Sequence, residues 1–288
     1  MDLYFRKLEE HDVPSILEIS KDIWEGEDYI PHVINNWLKE KTAFNFGVFK
    51  DALLENLVAF GRVRLFRKDL AWLEGGRVKN VFQKQGIRRE IMKFALDYCE
   101  KIGVKVVQYD TASQNKGSIA LAKDFKFKKK KTMDLVEVEY KKLSFSTVKY
   151  LKTEEIGLNK AKEFYKTIDI GPGDEVCIGW SFVPLNHLKN RNSSWFRSNN
   201  AILHKINAQS ENGDESPEND EVWLIVYGDH QEAFYLIQNV LSRKISSHNI
   251  KNIEVFCQIE VVEKLKNIGF SYWDNEQVQV ILFEKKLN

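Results

Sequence analysis

Trp72-Leu73-Glu74-Gly75-Gly76-Arg77-Val78, followed after a short link by Gln83-Lys84-Gln85-Gly86-Ile87-Arg88-Arg89, is the stretch on which the fold turns. The first segment has the apolar content of a strand but holds two adjacent glycines. Inside a strand such a pair marks a bulge or a place where another backbone or a ligand comes close. The second segment is a polar glycine turn that opens a helix at Ile91, Met92, Phe94 and Ala95. The first turn of a helix carries N–H groups without intrahelical partners and the positive end of the dipole, which suits a phosphate. A kinked strand feeding such a helix is a holder for a phosphorylated ligand. Taken alone, Gly86 is equally well read as a plain strand-to-helix turn, so the order of elements around it carries weight.

That order reads as follows. Asp12 before Val13-Pro14 is an N-cap signal for a first helix with Ile16, Ile19, Ile23 and Trp24 at helical spacing, and Pro31 opens a second through Trp37 and Leu38. Ala43 to Lys50 and Leu57 to Phe66 read as antiparallel strands about a turn near Glu55-Asn56, with a third strand from Leu70 to Val78. The motif helix ends at Gly103, and Val104 to Tyr109 is a strand expected to lie parallel to its predecessor. A short helix near Ser118–Asp124 and a strand from Met133 to Tyr140 close an α+β unit.

The later half repeats the back end of this pattern. Val222 to Tyr227 and Ile250 to Cys257 are strands, Ala233 to Ile245 and Glu260 to Ile268 helices, and Gln277 to Phe283 a last strand. Its turn, Gly228-Asp229-His230-Gln231, lacks the glycine pattern. Gln209 to Asp220 is polar and acidic and reads as a surface loop. The joint between halves is placed near Leu143–Ser146, giving domains 1–143 and 144–288.

Gln83, Gly86 and Arg88 stand at the defined positions of a Gln/Arg-x-x-Gly-x-Gly/Ala pattern, with Val78 five residues ahead. This arrangement resembles motif A of the GNAT superfamily of acetyl-coenzyme A-dependent N-acetyltransferases; Arg88 departs from it, standing where a small residue is expected. The resemblance implies an α+β fold with a central mixed, mostly antiparallel sheet, followed here by a second GNAT-like domain without the coenzyme turn. It implies that Arg77 and Val78 offer main-chain groups to the pantetheine arm, and that Gln83, Lys84, Gln85, Gly86, Ile87 and Arg88 surround the pyrophosphate. Gln114-Asn115-Lys116-Gly117-Ser118 is similar to the family segment in which an Asn, here Asn115, contacts the coenzyme arm. The family's Tyr after the helix Leu is Ala122 here, so the thiolate leaves unaided or takes its proton from Tyr109 or another Tyr.

Glu74 is the candidate base. It shares a strand face with Trp72 and stands two residues before Gly76. An aliphatic ammonium with a pKa near ~10.4 must lose a proton before it attacks, so a base is a real requirement. The alternative is an exposed strand glutamate. Glu25 to Pro31 joins the first two helices and, with Trp37-Leu38, looks like the two-domain branch that includes histidine N-acetyltransferase-like proteins. In that reading Asp28 pairs a cationic amine and Tyr29 packs against a substrate, with Trp72 nearby; the alternative is a helical connector with aromatic anchors.

Composition bounds the rest. The 288 residues, 43% hydrophobic with seven Trp and 18 Phe, suit two domains with real cores. No run approaches the roughly 18 apolar residues of a membrane span, and the opening Met1 to Lys7 lacks the apolar block of a secretion signal. Cys99, Cys177 and Cys257 are too few and scattered for a disulfide framework or a zinc site, which points to the cytoplasm and to no metal. Residues 1–143 hold 27 Lys+Arg against 22 Asp+Glu. The run Lys128 to Lys131 reads as a solvated strand edge; without interleaved aromatics it is a poor nucleic-acid signal. The expected activity is acetyl transfer to a primary amine of a small metabolite or amino acid. A catalytically inactive acyl-CoA-binding regulator is the rival.

Overall fold

A computed structural model describes residues 2–26, 28–144, 151–190, 192–207, 220–244 and 250–287. The first half runs β1 (Tyr4–Lys7), α1 (Val13–Ser20), α2 (Ile30–Lys39), β2 (Ala43–Phe49), β3 (Leu57–Arg67), β4 (Leu70–Val78), α3 (Ile87–Lys101), β5 (Val106–Ala112), α4 (Lys116–Asp124) and β6 (Lys128–Glu139). The second runs β7 (Glu154–Ile156), α5 (Leu158–Tyr165), β8 (Glu175–Cys177), β9 (Phe182–Pro184), β10 (Ser193–Arg197), β11 (Ala201–Asn207), β12 (Glu221–Gly228), α6 (His230–Lys244), β13 (Asn252–Cys257), α7 (Ile259–Lys266), β14 (Ser271–Tyr272) and β15 (Val278–Lys286). The expected joint and the acidic loop lie mostly outside the described residues.

Among the described residues one mixed sheet unites both halves in the order β1-β2-β3-β4-β5-β15-β6-β13-β12-β11-β10-β7, with β14 also on β6. Most neighbours are antiparallel; β4–β5 and β12–β13 are parallel. The C-terminal strand β15 inserts between β5 and β6, with Phe283 opposite Tyr109 on one side and Val278 opposite Leu135 on the other. The two halves are therefore one hydrogen-bonded object.

α3 lays Met92, Ala95, Leu96 and Cys99 on one face of the first half's sheet. Cys99 is a packing residue whose thiol burial pushes up to about 12. On the other face Trp72, Leu70 and Phe66 share a core with Met133, Phe182, Trp223 and Phe256. The hairpin β8–β9 docks there, where Ser181 Oγ and the Phe182 N–H both donate to Asp110 at 2.7 Å.

Two local expectations need correction. Asp12 does not cap α1 with its side chain; the carboxylate takes two hydrogen bonds from Arg6, at 2.7 and 2.8 Å, and one from the Glu9 N–H. The four-lysine run is not uniformly solvated, because β6 begins at Lys128 rather than Met133. Lys131 is buried and donates to the Glu175 carbonyl, and Lys130 pairs with Glu175 at 2.9 Å and with Glu284. Burial lowers the Lys131 pKa to about 8.

Candidate active site

The glycine pair forms a bulge. On β3, Phe60 faces Arg77 and Arg62 faces Glu74, so Gly61 is the single residue opposite both Gly75 and Gly76. Gly75 has φ +67°, in the left-handed region that costs other residues roughly 1–2 kcal/mol. A Cβ there would lie 2.5 Å from the Trp37 ring. Both conformation and space therefore demand glycine, and the bulge turns the strand end away from its neighbour.

The β4–β5 ladder stops at Trp72 opposite Gln108, although β4 continues to Val78 and β5 to Ala112. The strands part, leaving a notch whose β4 rim carries Glu74, the bulge and Arg77. Past that rim, Gly86 sits at the start of α3 with φ +85° and no side-chain cap, and nothing lies within 4 Å of where its Cβ would be. Of the first-turn N–H groups, that of Arg89 donates to the Gly86 carbonyl at 2.9 Å, and those of Ile87 and Arg88 suit an anion.

The proposed coenzyme residues gather around this turn. Val78 and Ile87 are buried together and seat the helix start on the strand end. The Gln83 amide donates to Asn80 Oδ1 at 2.7 Å and to the Val78 carbonyl at 3.4 Å, and the Gln85 amide donates to the Val81 carbonyl. Lys84 is exposed, with φ +60°. Asn115 caps α4, its Oδ1 accepting from the Ser118 N–H at 3.1 Å. Arg88 reaches the same helix start: one guanidinium nitrogen lies 3.1 Å from where a Gly117 Cβ would be. Although the residue is exposed, packing around it and the charge of Arg77 push its pKa downward.

The proposed acceptor residues fall in two places. Asp28 and Arg77 form a buried two-point pair, Oδ2 to Nε at 2.9 Å and Oδ1 to Nη2 at 2.8 Å. Tyr29 lies beside the Arg77 guanidinium (5.3 Å) and edge-on to Trp37. The Asp28 carboxylate thus meets a cation of the chain itself, and the loop is pinned to the strand just past the bulge. Trp72 is buried elsewhere, edge-on to Phe66.

Glu74 belongs to a charged cluster that the sequence reading missed. Arg62 Nε donates to Glu74 Oε1 at 2.6 Å, Nη2 donates to Glu40, and Nη1 donates to Asn45 Oδ1 at 2.9 Å and the Trp37 carbonyl at 3.1 Å. Its guanidinium stacks on Trp37 at 4.5 Å. The Arg62 side chain is 1% exposed, against 19% for Glu74 and 29% for Glu40. The cation is sealed in while both carboxylate side chains remain partly exposed, Glu40 also accepting from Thr42 Oγ1 at 2.8 Å and Arg64 Nε at 3.0 Å. Burial pushes the Glu74 carboxyl above the ordinary carboxylate range, with Arg62 and Arg64 pulling against it. Such a group is a better proton acceptor than a solvated carboxylate. The missed signal was Arg62 and Arg64 at period two inside an otherwise apolar strand, on the face that Glu74 shares across the ladder.

Tyr109 donates its hydroxyl to the Ser118 carbonyl at 2.9 Å, and burial raises its pKa to about 12. It packs in the same cluster as the buried Ala122 and holds α4 to the sheet.

Residues 11–127 match the family model "Acetyltransferase (GNAT) family". No curated protein matches the chain in sequence. Among solved structures, the chain is similar to a GCN5-related N-acetyltransferase from Sphaerobacter thermophilus, at 10% identity over 99% of this chain and 95% of that one, TM-score 0.60. A protein from Pyrococcus horikoshii aligns at 15% identity over 99% and 90%, TM-score 0.58. A fungal GCN5-related glucosamine N-acetyltransferase region aligns at 10% identity over 98% of this chain and 38% of its own, TM-score 0.66. At these identities the likeness is one of fold. Among the described residues no helix is long and apolar enough to cross a membrane. Residues 11–127 are thus a GNAT acetyltransferase family domain, and the chain has the GNAT fold.

Proposed function

We propose that the chain is an acetyl-CoA-dependent N-acetyltransferase acting by direct transfer to a primary amine of a small metabolite or amino acid in the cytoplasm. The observation that carries this is the notch: the β4–β5 ladder ends beside Glu74, and the uncapped start of α3 lies just beyond. The family's cosubstrate supplies an activated acetyl thioester. Main-chain groups of Arg77 and Val78 would hold the pantetheine arm, and the N–H groups around Gly86 with Arg88 would hold the phosphates. Asn115 would act through the start of α4, which it caps. The chain's own part is to desolvate the acceptor, take one proton from its ammonium through Glu74, and offer strand N–H groups to the carbonyl oxygen as the C–N bond forms and the C–S bond breaks. Arg62 positions Glu74.

We read residues 1–143 as the coenzyme domain and 144–288 as a related domain without that site, in the manner of the histidine N-acetyltransferase-like branch. The hairpin β8–β9 closes the sheet face beside the acceptor side. Arg88 and Ala122 favour the second reading, an acyl-CoA-binding regulator. Coenzyme A release across a panel of amines and amino acids decides between them. Release that collapses in Glu74→Gln supports the enzyme, and tight coenzyme binding without release supports the regulator.

A further inference from the structure

A second group of side chains lies on the sheet where the β8–β9 hairpin meets β12 and β13. On β13, Glu254 stands in register with Trp223 of β12 on one side and Glu137 of β6 on the other. Glu221 is two residues before Trp223 on the same strand face. Over this face the bend of the β8–β9 hairpin brings Gly179 and Trp180. Gly179 lies flat on Trp223: a Cβ there would be 2.4 Å from the ring. Trp180 is edge-on to Phe256 at 5.8 Å, meets Trp273 at 5.7 Å and 68°, and helps hold the Glu254 pKa down. Trp273 is delivered by β14, which pairs with β6 at Glu137. Two half-buried indoles thus form a corner against Phe256 of the strand that carries Glu254.

The carboxylate is incompletely satisfied. Glu254 is 8% exposed and its Oε2 has no hydrogen-bond partner; the Trp223 indole N–H beside it, on a residue 5% exposed, has none either. Burial, then the nearby Glu221 and Glu137, raise the Glu254 pKa to about 8. Leaving a buried polar atom without a partner is unfavourable, and crowding like charges adds to it. A cation relieves both. Among the described residues no three acidic, His or Cys groups converge closely enough to hold a metal ion. With indole faces as walls, the fit is to a larger, weakly hydrated organic cation.

We propose that Trp180, Trp273 and Glu254 form a cage for an alkylammonium group, carried by a free aliphatic amine or by a lysine side chain of a peptide. Glu254 stands on β13, four positions from β4 in the strand order, while Trp180 adjoins Ser181, which bonds Asp110 of β5; the cage does not rest on the acetyl-transfer reading.

The test is calorimetry with the full chain in a Glu74→Gln background, which removes the proposed acceptor base. The probes are n-butylammonium, the peptide acetyl-Gly-Lys-Gly-amide and the neutral, one-carbon-longer alcohol 1-pentanol. Saturable binding of a cation, at least tenfold tighter than pentanol and weakened at least tenfold by Glu254→Gln and by Trp273→Leu, is expected. A tighter peptide assigns the lysine side chain, and a tighter butylammonium the free amine. Absence of saturable cation binding overturns the cage, as does equal binding of pentanol or unchanged affinity in both well-folded variants.

Discussion

The turns that follow β4 and β12 differ in what fills the start of the next helix. After β4 the helix begins at Gly86, which brings no side chain to its own N–H groups. After β12, Asp229 places Oδ1 on the N–H groups of Gln231 and Glu232, at 3.0 and 2.9 Å. Gly228 there is so tightly enclosed that a Cβ would lie 2.1 Å from the Asn200 carbonyl oxygen, whereas the space at Gly86 is open. The parallel ladders differ in step: β12–β13 stays paired through five registers, Glu221 to Ile225, and β4–β5 through only Leu70 to Trp72. One unit offers an anion a notch and a dipole end, and the other has spent both on itself. A single internal carboxylate and two further rungs of ladder separate the proposed coenzyme site from its counterpart in the second half.

The largest test removes residues 278–288. Because β15 is the strand between β5 and β6, its loss strips partners from both; the shortened chain is expected to lose cooperative melting and coenzyme binding together. A truncated protein that binds coenzyme like the parent would show that the first half stands alone. Next in size, Glu74→Gln should lower kcat/KM by about 10²–10⁴ while the coenzyme Kd stays within twofold, since a general base contributes to proton transfer and not to phosphate binding. Steady-state kinetics and calorimetry on one preparation separate the two.

A transplant probes the comparison itself. Gly86→Asp gives α3 the carboxylate that α6 carries and should weaken coenzyme binding by about tenfold or more through competition for the same N–H groups. Asp229→Gly should lower the melting temperature and leave coenzyme affinity unchanged. The smallest effect is in pH. Glu74 must be ionised to accept a proton, so the rate climbs as pH rises through its elevated pKa. Arg62 holds that value down and Glu40 holds it up. Arg62→Gln is therefore expected to move the acid limb of the kcat/KM profile to higher pH, and Glu40→Gln to lower pH.

How much of this was legible varies with the range of the interaction. The boundaries of β4, 70–78, followed from its own residues, as did the start of α3 at Ile87 and its end before Gly103, because a bulge glycine, a left-handed cap and helical spacing are local signals. The insertion of β15 was not, since nothing in Val278 to Lys286 says which strands it will separate. Residues 151–207 gave no reading: their strands are of three to seven residues, too short for periodicity to show. Lys131 looked solvated because its partner Glu175 lies 44 residues away. At the proposed site, the motif put Glu74 on its strand and Gly86 at the helix start. Arg62 needed the cross-strand register, and the engagement of Asp28 by Arg77 joined residues 49 apart.

The most direct measurement is the stoichiometry of acetyl-CoA binding by calorimetry on the parent, Gly86→Asp and Asp229→Gly. One site per chain, weakened by the first substitution and untouched by the second, is the predicted result. Two sites per chain, or a single site that responds to Asp229 and ignores Gly86, would contradict the assignment of the coenzyme to the notch between β4 and β5.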